Sequence, residues 1–215
     1  MMTHTDYDAY ILDLDGTLLD TLRDLWASTN YALRTHGMPE HTIADVRRFV
    51  GNGVRKLMER AVPDGEHNPL FMPALATFRD HYLHHGCDTT QPYPGIVPLL
   101  HRLRAAGKAV AVVSNKFDAA TKSLCTHYFG TLVDTAIGES ERVRKKPAPD
   151  TVEEAIRQLG VSHGRCVYVG DSEVDIATAA NSGLPCITVL WGFRDRDFLI
   201  AHGATTMVER PEEIF

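Results

Sequence analysis

The chain has 215 residues, is 44% hydrophobic and 23% charged, and carries a net charge of −6. That is the profile of a globular protein with a buried core and room for one smaller appended unit. The acidic balance argues against a nucleic-acid surface, which would be basic, and the longest purely aliphatic stretch, residues 109–113, is far too short to span a bilayer.

MMTHTDYDAY lacks a basic segment followed by an apolar run, so no targeting signal is read there. Cys87, Cys125, Cys166 and Cys186 are scattered and form no C-x-x-C pair. Neither a disulfide framework nor a structural zinc site is expected, and a reducing cytoplasm fits. Cys166 and Cys186 open apolar runs and read as small core residues.

In chain order, residues 10–14 read as a first strand. Residues 21–35 follow as a helix, with Leu22, Leu25, Trp26, Thr29 and Leu33 at helical spacing and a stop at His36-Gly37 with Pro39 beyond. Residues 43–61 look helical on either side of Gly51-Asn52-Gly53. Pro63, Gly65 and Pro69 mark a loop, and 71–85 is another helix. Gln91-Pro92-Tyr93-Pro94-Gly95 reads as a rigid connector. Beyond it the spacing predicts helix 96–106, strand 109–113, helix 119–128, strand 132–137, helix 149–159, strand 167–169, helix 176–181 and strand 187–190.

Strands alternating with helices imply right-handed crossovers and a parallel sheet covered on both faces. The expected fold is α/β, a Rossmann-like parallel sheet flanked by helices, with an inserted all-helical unit. Residues 1–19 and 93–215 would form the core and 20–92 the insertion.

In such a sheet, ligands bind beyond the carboxyl ends of the strands. The polar clusters fall there. ILDLDGTLLDT places Asp13 and Asp15 after the first strand, and Ser114 and Asn115 follow the second. Asp171 and Asp175 follow the strand at 167–169, and Lys146 lies in the loop after 132–137. Several carboxylates, one lysine and one serine would share one crevice. Oxygen ligands of this kind select a hard cation, with Mg²⁺ expected. A carboxylate attacks a dianionic phosphate poorly unless positive charge offsets the repulsion, and Mg²⁺ and an ammonium group supply it. One acid can then form an acyl phosphate. A second acid, two residues away on the same side, can move protons. Gly16 would let the backbone turn closely around the phosphate, and Thr17 and Asn115 would offer donors.

These residues resemble the haloacid dehalogenase superfamily, in its phosphatase branch. D-x-D-G-T appears as Asp13-Leu14-Asp15-Gly16-Thr17. A serine ending an apolar strand appears in Ser114-Asn115-Lys116, Lys-Pro as Lys146-Pro147 in RKKPAPD, and G-D-S-x-x-D as Gly170 to Asp175. The resemblance covers essentially the whole chain, because a helical cap between the first two motifs is the family's subclass I arrangement. It implies that Asp13 is the nucleophile and Asp15 the general acid/base. Ser114 would hold a phosphate oxygen, and Lys146 would neutralise nucleophile and phosphate. Mg²⁺ would lie on Asp13, the Asp15 carbonyl and Asp171, with Asp175 behind it or as an occasional ligand. Asp20 would help shape the start of the cap. Phe49 to Val54, and Pro92 to Gly95, resemble phosphoglycolate phosphatases, which implies that Gly51, Asn52 and Gly53 approach a small carboxylate.

The expected activity is therefore Mg²⁺-dependent hydrolysis of a small phosphorylated metabolite, 2-phosphoglycolate first, by a cytoplasmic monomer or homodimer with no nucleic-acid or membrane partner. The alternatives are a phosphomutase like β-phosphoglucomutase and a module that binds phosphate or metal without turnover. A true dehalogenase would not need the acid at Asp15. Several features carry blander readings. Arg142 to Lys146 is a solvated loop supplying one lysine, with Lys145 as the competitor to Lys146. His81, His84 and His85 share a helix face but have no carboxylate or cysteine to complete a metal site. Arg47 and Arg55 either reach a substrate carboxylate or line a solvated face. Ser114 could instead cap the helix after it, and Asp175 could be a first-turn acid of a capped helix.

Overall fold

The computed structural model describes residues 7–141 and 143–215. Arg142, at the head of the basic run, lies outside them. Chain contacts divide the protein into two compact units, one formed by the residues up to Leu18 together with Pro92–Phe215, the other by Leu19–Gln91.

The first unit is built on a parallel sheet. Its strands and helices are β1 (Ala9–Leu12), α5 (Ile96–Ala105), β4 (Ala109–Phe117), α6 (Asp118–Phe129), β5 (Thr135–Glu139), α7 (Asp150–Leu159), β6 (Cys166–Gly170), α8 (Glu173–Asn181), β7 (Cys186–Val189), α9 (Arg196–Ala201) and β8 (Met207–Val208). The sheet order is β5-β4-β1-β6-β7-β8, and every pairing is parallel. β1 and β6 are buried along their whole length, which explains their unbroken apolar runs. One face carries Ala9, Ile11, Ala111, Val113, Cys166 and Tyr168, packed against Val152 and Ala155 of α7 and Ala179 of α8. The alternate residues Tyr10, Leu12, Val110, Val112, Val167 and Val169 are equally buried on the other face.

This order puts β1 between β4 and β6, where the chain's progress across the sheet reverses. Such a switch point opens a crevice at the carboxyl ends of the strands. Register pairs Leu12 with Val112 on one side and with Val169 on the other, so β1 and β6 end nearly level while β4 runs on past them.

The second unit holds α1 (Leu22–Thr35), α2 (Ile43–Phe49), α3 (Val54–Ala61) and α4 (Phe71–His85). The short strands β2 (Leu19–Asp20) and β3 (Gln91–Pro92) pair where the chain passes between units. Leu25, Ala32 and Leu33 of α1 are buried in a helical core with Phe71, Ala74, Leu75 and Phe78 of α4. Asp24 of α1 ties down the chain just before β3. Its carboxylate accepts from the Thr89 and Thr90 hydroxyls at 2.6 and 2.8 Å and from both backbone N–H groups. Thr42 and Asp45 form a reciprocal cap on α2. Gly51 and Gly53, with φ of 130° and 81°, take left-handed backbone that separates α2 from α3.

Element boundaries differ from expectation in identifiable places. The strand expected at 132–137 begins at Thr135, because Leu132 ends a short 3-10 turn from Gly130. β4 runs on to Phe117, so Ser114, Asn115 and Lys116 lie within an irregular strand end. The two-residue strands and α9 were not expected from the sequence. Among the described residues no helix is long and apolar enough to cross a membrane.

Candidate active site

Asp13 follows β1, and its N–H donates to the Val169 carbonyl of β6 at 2.9 Å. Its Oδ1 accepts from the Leu14 N–H at 2.7 Å and lies 2.8 Å from the Lys146 Nζ. Lys146 is buried and reaches Asp175 Oδ1 at the same distance. One ammonium group thus bridges two carboxylates from different strand ends. Lys145 is exposed, so of the two candidate lysines it is Lys146 that enters the cluster. Asn115 Nδ2 donates to the Lys146 carbonyl at 3.1 Å, which fixes that loop to the end of β4.

Asp175 has two parts in the structure. It is the first-turn acid of α8 in a capping box with Ser172. It is also the junction of the buried network: Oδ1 takes Lys146 and the Tyr168 hydroxyl, and Oδ2 takes Ser172 Oγ at 2.6 Å and the N–H groups of Ser172 and Asp171. Five donors on two oxygens leave it little to offer a cation.

Asp171 is held differently. Thr17 Oγ1 donates to Oδ1 at 3.2 Å and the Phe193 N–H to Oδ2 at 2.7 Å, so each oxygen keeps a lone pair. The Thr17 hydroxyl, expected to face substrate, is spent here. Gly16 has φ of 88°, and a Cβ on it would lie 2.5 Å from Asp171 Oδ2. The glycine is therefore needed for the contact with Asp171 as well as for the turn. Gly192 has the same property, since its Cβ would fall 2.3 Å from Asp171 Cβ. Trp191 Nε1 donates to the Thr17 carbonyl at 3.0 Å. The segment after β7 therefore grips both the first loop and Asp171.

Asp15 is paired with Lys116, whose Nζ lies 3.2 Å from its Oδ1. No role was read for Lys116 or for the Trp191–Phe193 segment in the sequence. The available signal for Lys116 was a basic residue just past the serine at a buried strand end. Ser114 is buried, and its Oγ accepts the Lys116 N–H at 3.2 Å. It does not cap α6, which starts at Asp118.

Burial raises the Asp13 carboxyl well above the usual range, and the neighbouring Asp175 adds to this against the pull of Lys146. Burial likewise raises Asp171 to about 7, with Asp175 again adding. Burial would also raise Asp175, but Lys146 and the bonds from Ser172 and Tyr168 outweigh it and hold it below 3.8. Among the described residues, Asp13, Asp171 and Asp175 are the acids whose oxygens come together closely enough for one metal ion, within 4.8 Å. Two carboxylates that burial leaves short of positive charge, with Asp171 lone pairs unspent, suit a hard divalent cation.

The remaining candidates lie in the second unit. Gly51, Asn52 and Gly53 form its α2–α3 loop. Arg55 is engaged by Glu66 through two bonds of 2.8 and 2.9 Å and lies over the Phe71 ring. His81 bonds Ser28 and stacks between Tyr31 and His85, while His85 pairs with Asp88 and His84 with the Asp80 carbonyl. The three histidines thus serve the helix packing. Asp20 accepts the Leu22 N–H at the start of α1.

A parallel sheet whose central strand ends in paired acids, joined by a buried lysine to a third, defines a hydrolase-type crevice. The family of haloacid dehalogenase-like hydrolases matches residues 10–189, and the chain belongs to that family. It is 35% identical over 198 residues to a phosphoglycolate phosphatase of Mesorhizobium japonicum, covering 86% of this chain and 84% of that one. It is 31% identical over 188 residues to a phosphoglycolate phosphatase of Aquifex aeolicus, covering 85% and 84%. A crystal structure from Lactobacillus delbrueckii subsp. bulgaricus, provisionally named a phosphoglycolate phosphatase, superposes with a TM-score of 0.94 at 38% identity, covering 98% of this chain and 97% of that one.

Proposed function

We propose that the protein is an Mg²⁺-dependent phosphatase that hydrolyses a small phosphomonoester, 2-phosphoglycolate foremost, through a phosphoryl group carried on Asp13. The observation that carries this reading is the Asp13–Lys146–Asp175 chain at the switch point of the sheet, with Asp171 beside it. The named phosphatases among the relatives support the choice of substrate.

Asp13 commits Oδ1 to Leu14 and Lys146, which leaves Oδ2 to attack phosphorus. Lys146 offsets the repulsion between that carboxylate and the phosphate, and Asp175 holds the ammonium group in line. Asp15 protonates the leaving alkoxide and then takes the proton of the attacking water. Ser114, with Asn115 and the turn at Gly16, shapes the phosphate cradle, while Thr17 holds Asp171. Asp13, Asp171 and the Asp15 carbonyl would hold Mg²⁺, which would supply positive charge to offset the negative charge of the phosphate. Asp175 serves that site from behind, because its oxygens are already bonded. The unit Leu19–Gln91 acts as the cap, and the backbone at Gly51, Asn52 and Gly53 selects the substrate. A cytoplasmic setting accords with four cysteines that form no disulfide among the described residues.

The test is phosphate release from a panel of small phosphomonoesters with and without Mg²⁺, including 2-phosphoglycolate and β-glucose 1-phosphate. Mg²⁺-dependent release that peaks on 2-phosphoglycolate is expected. Isomerised sugar phosphate in place of free phosphate would make the protein a mutase. No turnover of any member would end the catalytic reading.

A further inference from the structure

Two buried lysines of the site pair with three of its four acids. Lys146 holds Asp13 and Asp175, each at 2.8 Å. Lys116 reaches Asp15, at 3.2 Å. Its side chain is 5% exposed and that of Asp15 17%. An ammonium group is expensive to bury without an anion, so the pair is a built feature of the crevice.

The backbone that presents Lys116 is fixed on three sides. Its N–H donates to Ser114 Oγ at 3.2 Å, and its carbonyl accepts from Thr121 Oγ1 at 3.3 Å. Gly138 of β5 lies so close that a Cβ there would sit 2.5 Å from the same carbonyl. A lysine held this firmly is a fixed point of positive charge. Asp13 and Asp15 project to the same side from alternate positions, and two like charges there would push each other out of line.

We infer that Lys116 is a positioning residue that holds the Asp15 carboxyl group in the orientation needed for proton transfer, and that the Lys116–Asp15 ion pair is part of the machinery of turnover. This rests on the reading of Asp15 as the proton-transfer group. In the first step Asp13 Oδ2 bonds to phosphorus, and the phosphorus–oxygen bond to the leaving alcohol breaks. Its electron pair goes to the bridging oxygen, which takes the proton of the Asp15 carboxyl group. In the second step a water oxygen bonds to phosphorus, Asp15 takes back a proton from that water, and the Asp13 carboxylate leaves. Lys116 exchanges no proton in either step: it stands beside Asp15 Oδ1 while Oδ2 carries the proton, and the full ion pair forms once the alkoxide has taken that proton. It keeps Asp15 where both transfers occur, and a displacement of an ångström there costs on the order of 10²-fold in rate.

The leaving group separates this role from packing and from substrate binding. An alkoxide needs a proton as it departs, whereas the acetate leaving from acetyl phosphate does not. Lys116→Met, Lys116→Arg, Asp15→Asn and the Asp15→Asn/Lys116→Met double variant are compared in the Mg²⁺-loaded full chain. Single-turnover consumption of 2-phosphoglycolate and acetyl phosphate is followed, together with steady-state KM and kcat. Lys116→Met is expected to lose on the order of 10²-fold with 2-phosphoglycolate and only a few-fold with acetyl phosphate, with KM nearly unchanged. Lys116→Arg should recover most of the rate, and the double variant should be no slower than Asp15→Asn alone. Equal losses on both substrates, a rise in KM alone, or additive losses in the double variant would overturn the inference while leaving Asp15 in its role. An Asp15→Asn variant that is indifferent to leaving group would remove the proton-transfer reading and the inference with it. Should Lys116→Met fail to fold, Lys116→Gln, which keeps a neutral donor, carries the same comparison.

Discussion

Asp175→Asn tests the buried network at its junction. The native side chain is 1% exposed and spends both oxygens on five donors. Asparagine keeps one carbonyl oxygen, and its best placement faces the three donors of Ser172 and Asp171. The amide nitrogen then meets Lys146 and Tyr168. Tyr168 can rotate its proton away and accept; the Lys146 ammonium cannot, because it has only donors. Removing one partner of a buried ion pair costs about 3–5 kcal/mol. Lys146 keeps Asp13 at 2.8 Å, so the low end applies and we expect a loss of about 3 kcal/mol. Urea unfolding of metal-free protein at neutral pH, followed by far-UV circular dichroism, measures it as a fall in midpoint at constant m. In the Asp175→Asn/Lys146→Met double variant the loss should be smaller than the sum of the single losses. A single-variant loss below about 1 kcal/mol would refute the argument, because it would mean that Lys146 does not depend on Asp175.

Asp24 gives a pH signature in the helical unit. Burial alone would raise its carboxyl, but hydrogen bonds from Thr89 and Thr90 hold it below 3.8. A group lowered in the folded state stabilises the fold above its unfolded value, and that contribution is lost as pH falls through the folded one. Asp24→Asn should cost about 2 kcal/mol at neutral pH, and thermal unfolding should show the gap to wild type closing below pH 3.8. Gly192→Ala would drive a Cβ to 2.3 Å from Asp171 Cβ and 2.5 Å from the Gly16 carbonyl. Calorimetric titration of the metal-free protein should show divalent-cation affinity reduced about 10–100-fold; an unchanged Kd would contradict the role given to the Trp191–Phe193 segment. Cys87 is exposed, Cys125 and Cys166 are buried, and burial pushes the thiols of Cys125 and Cys186 up to about 12. A colorimetric thiol titration of native protein should therefore find one fast-reacting group, lost in Cys87→Ser.

Much of the sheet was legible because its strands are buried on both faces and so appear as short apolar runs, each ending in a polar cluster. Asp13, Ser114 and Asp171 stand at those ends, and the rule that ligands bind there brings them together. What stayed hidden depends on tertiary pairing. β2 and β8 are two residues long and carry no period to read. Leu132 looked like strand, but the chain turns there before β5 begins. Arg55 could not be assigned between substrate and solvent because its partner, Glu66, lies on a separate turn. Thr17 was expected to serve the phosphate, yet its hydroxyl belongs to Asp171, more than 150 positions along the chain. Lys116 was in plain view in Ser114-Asn115-Lys116, but its meaning lies in where its ammonium group ends, beside Asp15.

The central claim is that Asp13 carries the phosphoryl group. The most direct measurement is acid-quenched mass spectrometry of Asp15→Asn protein mixed with acetyl phosphate and Mg²⁺, since the acetate leaves without a proton while loss of the second-step base should let the intermediate accumulate. One added phosphoryl group is expected on the peptide containing Asp13, absent when Asp13→Asn is combined with it. A phosphoryl group on any other residue, or full turnover by Asp13→Asn, would contradict it.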